Sequence, residues 1–319
     1  MIKEKISLQI NLSPGDYPSA RLILVHQLNA LAKQVDEIVI VVESKPSKGR
    51  FSEGWSENKV KLDTFLSTIE INFSARVIYV NYDEIIKSKV ADYFFGKRFI
   101  PEKDFRGGPF YCYFFGMYNC SNDIILHLDA DMFLGGRSDT WISEATELYN
   151  NNKNLFCVAP LPGPPANDEC LIGQTIIKKF DEEPYKFQLE GFSTRIFMIK
   201  KSLVHKYKLH LTKPGLKNQI KAILNGNNNA DLPEHLIADF MLKNDLIRID
   251  FLGKHQGMWS LHPPYRNEYF HKSLKNLISR IESNEIPEVQ RGFYDIVDEL
   301  IDWSDARKKL KSKLFKFRN

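Results

Sequence analysis

Residues 122–136 read NDIILHLDADMFLGG. A polar turn opens the segment, an apolar run follows, and the run stops at Asp129 and Asp131 with Ala130 between them. Side chains alternate along an extended chain, so the spacing predicts both carboxylates on one side of a strand end. Two carboxylates that close repel unless a cation or a shared proton lies between them. The motif therefore predicts a bound cation and an anionic group for that cation to hold.

The flanking sequence supplies the frame. KISLQINL (5–12) reads as a first strand ended by the turn signal SPGDYPS (13–19), and Ala20, Leu24, Leu28 and Leu31 then recur at helical spacing. DEIVIVVES (36–44) is nearly continuous in apolar residues, as in a strand covered on both faces. Residues 44–59 are polar and predict an exposed loop, followed by a short helix and the strand ARVIYV (75–80). FYCYFFGMYNC (110–120) reads as a helix whose aromatic residues belong to the core. Strand and helix alternate through about the first 135 residues, which predicts an α/β fold with a mostly parallel sheet. Ligands of such sheets collect at the carboxyl ends of the strands, where Asp129, Asp131 and Glu43 all fall. Further strands are predicted at LFCVAPLPG (155–163), TRIFMIKK (194–201) and DLIRIDFLG (245–253). Two helices follow, one through Leu274, Leu277, Ile278 and Ile281, the other through Phe293, Ile296, Val297, Leu300 and Ile301.

The 319 residues are 43% hydrophobic and 26% charged, with a net charge of +4. Seven Lys/Arg and no acid lie between Arg307 and Asn319, which leaves the remainder at −3 and excludes a chain-wide basic surface for nucleic acid. In this tail Leu310, Leu314 and Phe317 fall at helical spacing among lysines, a pattern for peripheral contact of 307–319 with an anionic membrane. Cys112, Cys120, Cys157 and Cys170 form no C-x-x-C pair and are expected to be reduced thiols. The first residues lack a signal-peptide apolar region. A cytoplasmic protein, or one at the cytoplasmic face of a membrane, is expected.

Taken in order, these segments resemble nucleotide-sugar glycosyltransferases of the GT-A fold, most closely the family 2 type. HLDADM matches the family's Asp-x-Asp motif, DEIVIVVESK its first acid-terminated strand, and YFFGMYNCSNDIILHLDAD the helix and strand leading into the motif. Tyr113 and Phe114 stand where the family has Arg-Asn. PEHLIADFMLKNDLIRI has the spacing of the family's acidic pair and following helix, with His235 replacing the second acid, and MWSLHPPYR resembles the late histidine segment. The matches span most of residues 5–266.

The resemblance implies a GT-A domain over 1–266, a Rossmann-like α/β fold with a mixed, mostly parallel sheet flanked by helices. Residues 267–319 form a helical C-terminal extension with the basic tail. It implies Mn²⁺ or Mg²⁺ on Asp129, Asp131 and His262, with Asp131 the direct ligand. Ser13, Glu43, Arg106 and Asp129 are assigned to the nucleotide, and Glu234 or His235 to the base that takes the acceptor's proton. UDP-sugar is the favoured donor, a glycan or lipid-linked group the acceptor, and inversion the outcome. Hard dications suit carboxylate oxygens, and a general base works best with a pKa near the operating pH. Two rivals remain. A phosphatase of the haloacid dehalogenase type also has Asp-x-Asp after a strand, but near its start and not after 128 residues. A GT-A scaffold without its base would bind nucleotide sugar or glycan without transfer. A sugar nucleotidyltransferase would show a glycine-rich N-terminal loop, which INLSPGDYPS is not.

Overall fold

A computed structural model describes residues 4–46 and 54–316, with side chains through Leu310. Residues 47–53 of the expected loop and Phe317 of the tail lie outside the described residues, as does the side chain of Leu314. The chain opens with β1 (Ile6–Leu12), α1 (Tyr17–Leu31), β2 (Glu37–Val42), α2 (Trp55–Phe73), β3 (Arg76–Tyr79), α3 (Glu84–Phe95) and α4 (Tyr111–Asn119). The centre comprises β4 (Ile124–Asp129), β5 (Phe133–Gly135), α5 (Trp141–Asn151), β6 (Leu155–Pro162), β7 (Ile176–Lys179), β8 (Lys186–Leu189) and β9 (Ile196–Lys200). It closes with α6 (Lys201–Tyr207), α7 (Leu216–Leu224), α8 (Pro233–Lys243), β10 (Ile247–Phe251), β11 (Trp259–Leu261), α9 (Glu268–Glu282) and α10 (Ser304–Lys316).

The main sheet has the order β3-β2-β1-β4-β9-β6-β10-β8-β7. β3, β2, β1 and β4 are parallel, β9 is inserted antiparallel between β4 and β6, and β10 resumes the direction of β6. This is the α/β architecture expected from the sequence, mixed and mostly parallel with helices on both faces. Alternation along the strands separates two cores. Ile6, Leu8, Ile10 and Leu12 of β1 face α1, α2 and α5, whereas Val39 and Val41 of β2 and Ile125 of β4 face α3, α4, α6 and α8.

Three expectations differ from what is observed. The polar stretch 44–59 is helical from Trp55, because Leu62, Leu66 and Ile69 recur at helical spacing and are buried on the first core. No helix forms through 293–301. Instead Phe293 bridges Ile172 and Asp295 bridges His262, and Ile296 and Trp303 pack into a third core with α9, β11 and Ile23. The apolar residues there match helical spacing, yet those backbone partners hold 293–296 out of a helix, and 298–300 form only a turn. Finally, β4 ends at Asp129. Met132 N donates to Asp129 O at 3.2 Å, so Ala130 and Asp131 lie in a turn and strand alternation does not align the two aspartates.

α4 approaches the sheet closely at Gly116. A Cβ there would stand 2.3 Å from Gln9 Nε2 and 2.8 Å from Val41 Cγ2. Gln9 is fully buried and donates to Tyr113 O at 3.2 Å, so it has little room to move. Gly116→Val is expected to cost about 1–3 kcal/mol by overpacking, read as a lower urea midpoint at unchanged slope.

Candidate functional site

The turn after β4 is held from below by α1. Gln27 Nε2 donates to Asp129 O at 2.9 Å and to Met132 O at 2.8 Å, and His26 Nε2 accepts from Leu134 N at 3.1 Å. The Asp129 carboxylate faces α4, on the same side of β4 as His127. Tyr113 Oη donates to its two oxygens at 3.2 and 3.3 Å, and His127 Nε2 approaches at 3.3 Å. Burial and then the Asp129 charge push the Tyr113 phenol well above its ordinary range, so it stays a protonated donor.

Asp131 turns towards the C-terminal segment. Arg266 Nη2 donates to its Oδ2, and Arg266 Nη1 reaches Asp16 Oδ1 at 3.1 Å. His262 Nε2 lies 3.8 Å from Asp131 Oδ2. The other ring nitrogen, Nδ1, is 2.8 Å from Asp295 Oδ1; a carboxylate only accepts, so Nδ1 carries the proton. Burial is the largest influence on Asp131 and raises its carboxyl, but Arg266, His262 and Arg195 together hold it below the ordinary carboxylate range. Asp16 is the reverse case, since burial raises it more than Arg266 lowers it.

Beside this centre lies a cavity of about 330 Å³ whose walls include Glu190, Arg195, Glu234, Arg248, Ser260 and Tyr294. Arg248 and Asp250 form a buried bidentate pair at 2.7 and 2.5 Å along its floor. The Ser260 hydroxyl is buried without a hydrogen-bond partner. Arg195 and Tyr294 join the cavity to the aspartates. Arg195 lies within electrostatic reach of Asp129 and Asp131, and the Tyr294 ring stacks on His262 with centroids 6.0 Å apart.

The residues expected from the sequence are distributed unevenly. Asp131 and His262 are brought together at 3.8 Å, whereas the Asp129 carboxylate faces Tyr113 and His127. Glu234 lines the cavity, but His235, one residue on, is 61% exposed and pairs with Asp231 at 2.9 Å. Glu43 is buried at the end of β2 and already engaged, accepting from Lys103 Nζ at 2.6 Å and Tyr82 Oη at 2.7 Å. Arg106 pairs with Asp104 at 3.4 Å and lies beside the Phe105 ring. Ser13 precedes the short 3₁₀ turn Pro14–Asp16, and its N–H donates to Asp16 Oδ2 at 2.8 Å. Sequence reading missed Tyr113, Arg195, Arg266, Tyr294 and Asp295. Arg266 had a signal, since it ends the segment MWSLHPPYR, and so had Tyr113, which with Phe114 stands where the resembled family has Arg-Asn although its segment reads as core; Arg195, Tyr294 and Asp295 belong to the site only through packing.

Among the described residues no three His, Cys, Asp or Glu side chains stand ready as a metal cage. A dication that binds with substrate phosphates needs only one or two carboxylates. Asp129, Asp131 and a His262 whose Nδ1 is tied to a carboxylate have the chemistry for that, the second link being usual for a ligating histidine. The Arg266 guanidinium occupies the position of positive charge on Asp131.

No protein-family model matches the chain, and no curated protein matches it. Solved structures similar to it include UDP-glucose pyrophosphorylase complexed with UDP-glucose, at 11% identity over 78% of this chain and 90% of that one, TM-score 0.39. Glucosyl-3-phosphoglycerate synthase from Mycobacterium tuberculosis, complexed with Mg²⁺ and UDP, is similar at 10% identity over 89% and 80%, TM-score 0.38. S. aureus TarS 1-349 in complex with UDP-GlcNAc is similar at 13% identity over 89% and 68%, TM-score 0.36. The overlap is loose, and the strand order given above defines the fold by itself.

Arg266→Gln leaves the Asp131 charge with weaker compensation. Breaking a fully buried pair costs ~3–5 kcal/mol. The Arg266 side chain is 45% exposed, so screening reduces the expected loss to on the order of 1–2 kcal/mol. Mn²⁺ should then raise the melting temperature of the variant more than that of the parent protein; equal shifts would show that Asp131 does not attract the ion.

Proposed function

We propose that the protein is a metal-dependent glycosyltransferase that moves a sugar from a nucleotide-sugar donor, UDP-sugar in preference, to an acceptor hydroxyl with inversion. The observation that supports it best is the adjacency of two chemically distinct halves. An aspartate–histidine centre at the carboxyl end of β4 and a cavity carrying Glu234 share Arg195 and Tyr294. One half suits a diphosphate and the other an acceptor.

In this reading Asp131, Asp129 and His262 hold Mn²⁺ or Mg²⁺, which when bound neutralises the charge that gathers on the departing diphosphate. Tyr113 fixes the Asp129 carboxylate by donating to both oxygens, and Asp295 keeps the His262 proton on Nδ1. Arg195 adds positive charge between the two halves. Glu234 takes the proton of the acceptor hydroxyl as its oxygen bonds to the anomeric carbon and the bond to the diphosphate breaks on the opposite side. Glu43 and Ser13 border the nucleotide, while Arg106, tied to Asp104, is assigned a loop-ordering role. The domain division at 266 and a cytoplasmic setting belong to the same proposal, with Tyr294 and Asp295 as the extension's contribution to the site.

Calorimetric titration of UDP and GDP, each with Mn²⁺ or with chelator, tests the donor half: metal-dependent binding of UDP is expected, and Asp131→Ala should abolish it. No binding of either nucleotide to folded protein would refute the reading. For the acceptor half, Glu234→Gln should lower turnover roughly 10²–10⁴-fold with donor binding intact, whereas His235→Asn should leave turnover near the parent value. The opposite ranking would make His235 the base.

A further inference from the structure

Helix α7 is amphipathic in the wrong sense for a helix packed on a protein. Its apolar residues Leu216, Ile220, Ile223 and Leu224 share one face and are 80, 59, 70 and 81% exposed. The opposite side is the one that docks. Ala222 is fully buried against Phe105 and Leu232, and Gln219 Oε1 accepts from Asn229 Nδ2 at 3.2 Å. Turning a Leu/Ile face to water forgoes the burial that normally orients a surface helix.

Charge identifies what covers this face. The segment 211–230 that carries α7 has three Lys and no Asp or Glu, in a chain whose net charge is only +4. Lys213, Lys217 and Lys221 are exposed beside the apolar stripe, which leaves a cationic rim around a hydrophobic strip. That combination matches an anionic bilayer surface, where apolar side chains enter the acyl boundary and lysines meet lipid phosphates. A second copy fits less well. A stable interface needs roughly 800 Å² per partner, more than one face of a nine-residue helix presents, and a twofold pairing would set lysine against lysine.

We propose that α7 is an in-plane contact with anionic membrane, separate from the basic tail. It stands independently of the transferase reading. Ala222 packs on Leu232, two residues before Glu234. The helix would hold the Glu234 side of the cleft near the lipid surface.

The test is vesicle flotation of the full chain with phosphatidylcholine alone and with equal parts phosphatidylcholine and phosphatidylglycerol. Binding to the anionic vesicles only is expected. Ile220→Gln with Ile223→Gln, and separately Lys217→Glu with Lys221→Glu, should each weaken it by on the order of tenfold or more with unchanged circular dichroism. Lys308→Gln with Lys309→Gln should retain most of it. The proposal is overturned if the parent chain does not float, if both α7 variants float like the parent, or if only the tail variant fails. It is also overturned if light scattering finds a lipid-free dimer that Ile220→Gln with Ile223→Gln dissolves, which would make α7 a self-association surface.

Discussion

The buried charge of Asp131 is the constraint on which the site depends. A carboxylate with little solvent around it must be partnered or lose its proton. Here the partners come from a distant part of the chain, Arg266 directly and His262 at 3.8 Å. Meeting that requirement places β11 and the segment after it against the carboxyl end of β4. The antiparallel pairing of β11 with β5 and its parallel pairing with β6 supply the backbone support. Asp295 then orients His262, and Tyr294 stacks on it. The C-terminal residues thus complete the centre as well as the core.

The other carboxylate is governed by a different element. Asp129 is the last residue of β4 and shares its face with His127 and Ile125, which puts it against α4. Tyr113 can reach it because Gly116 lets α4 lie close on β1 and β2. Two aspartates one residue apart are therefore controlled by opposite parts of the molecule, the first by the N-terminal half and the second by the C-terminal half. Between them Gln27 clamps the turn through two carbonyls. The turn and the cavity beside Arg195 and Tyr294 are thereby adjacent but separately supported.

Most of the fold was legible in the sequence, for identifiable reasons. β2 is apolar from Ile38 to Val42 and buried on both faces. α1 has its core residues at helical spacing, and turn residues separate the elements. The motif and its position at a strand end were legible too. The failures share a cause. Residues 293–301 have helical spacing but take extended partners from His262 and Ile172, and 55–59 looked like loop because their exposed side is polar. Glu234 and His235 are adjacent in sequence and chemically interchangeable as bases; only the orientation of α8 puts one in the cavity and the other in solvent.

By itself the sequence determined the alternation of strands and helices up to β4, the pair of acids at the end of β4, and the separation of a basic tail from a slightly acidic body. Those properties are local, encoded in periodicity, turn residues and composition. Only the tertiary structure decided that strand β9 enters antiparallel beside β4, that the two aspartates face different partners, and that Arg266 and Tyr113 are those partners. It also decided which way α7 faces. An ion pair between residues 131 and 266 leaves no periodic trace in either segment, because long-range partners are selected by packing and by the cost of an uncompensated buried charge.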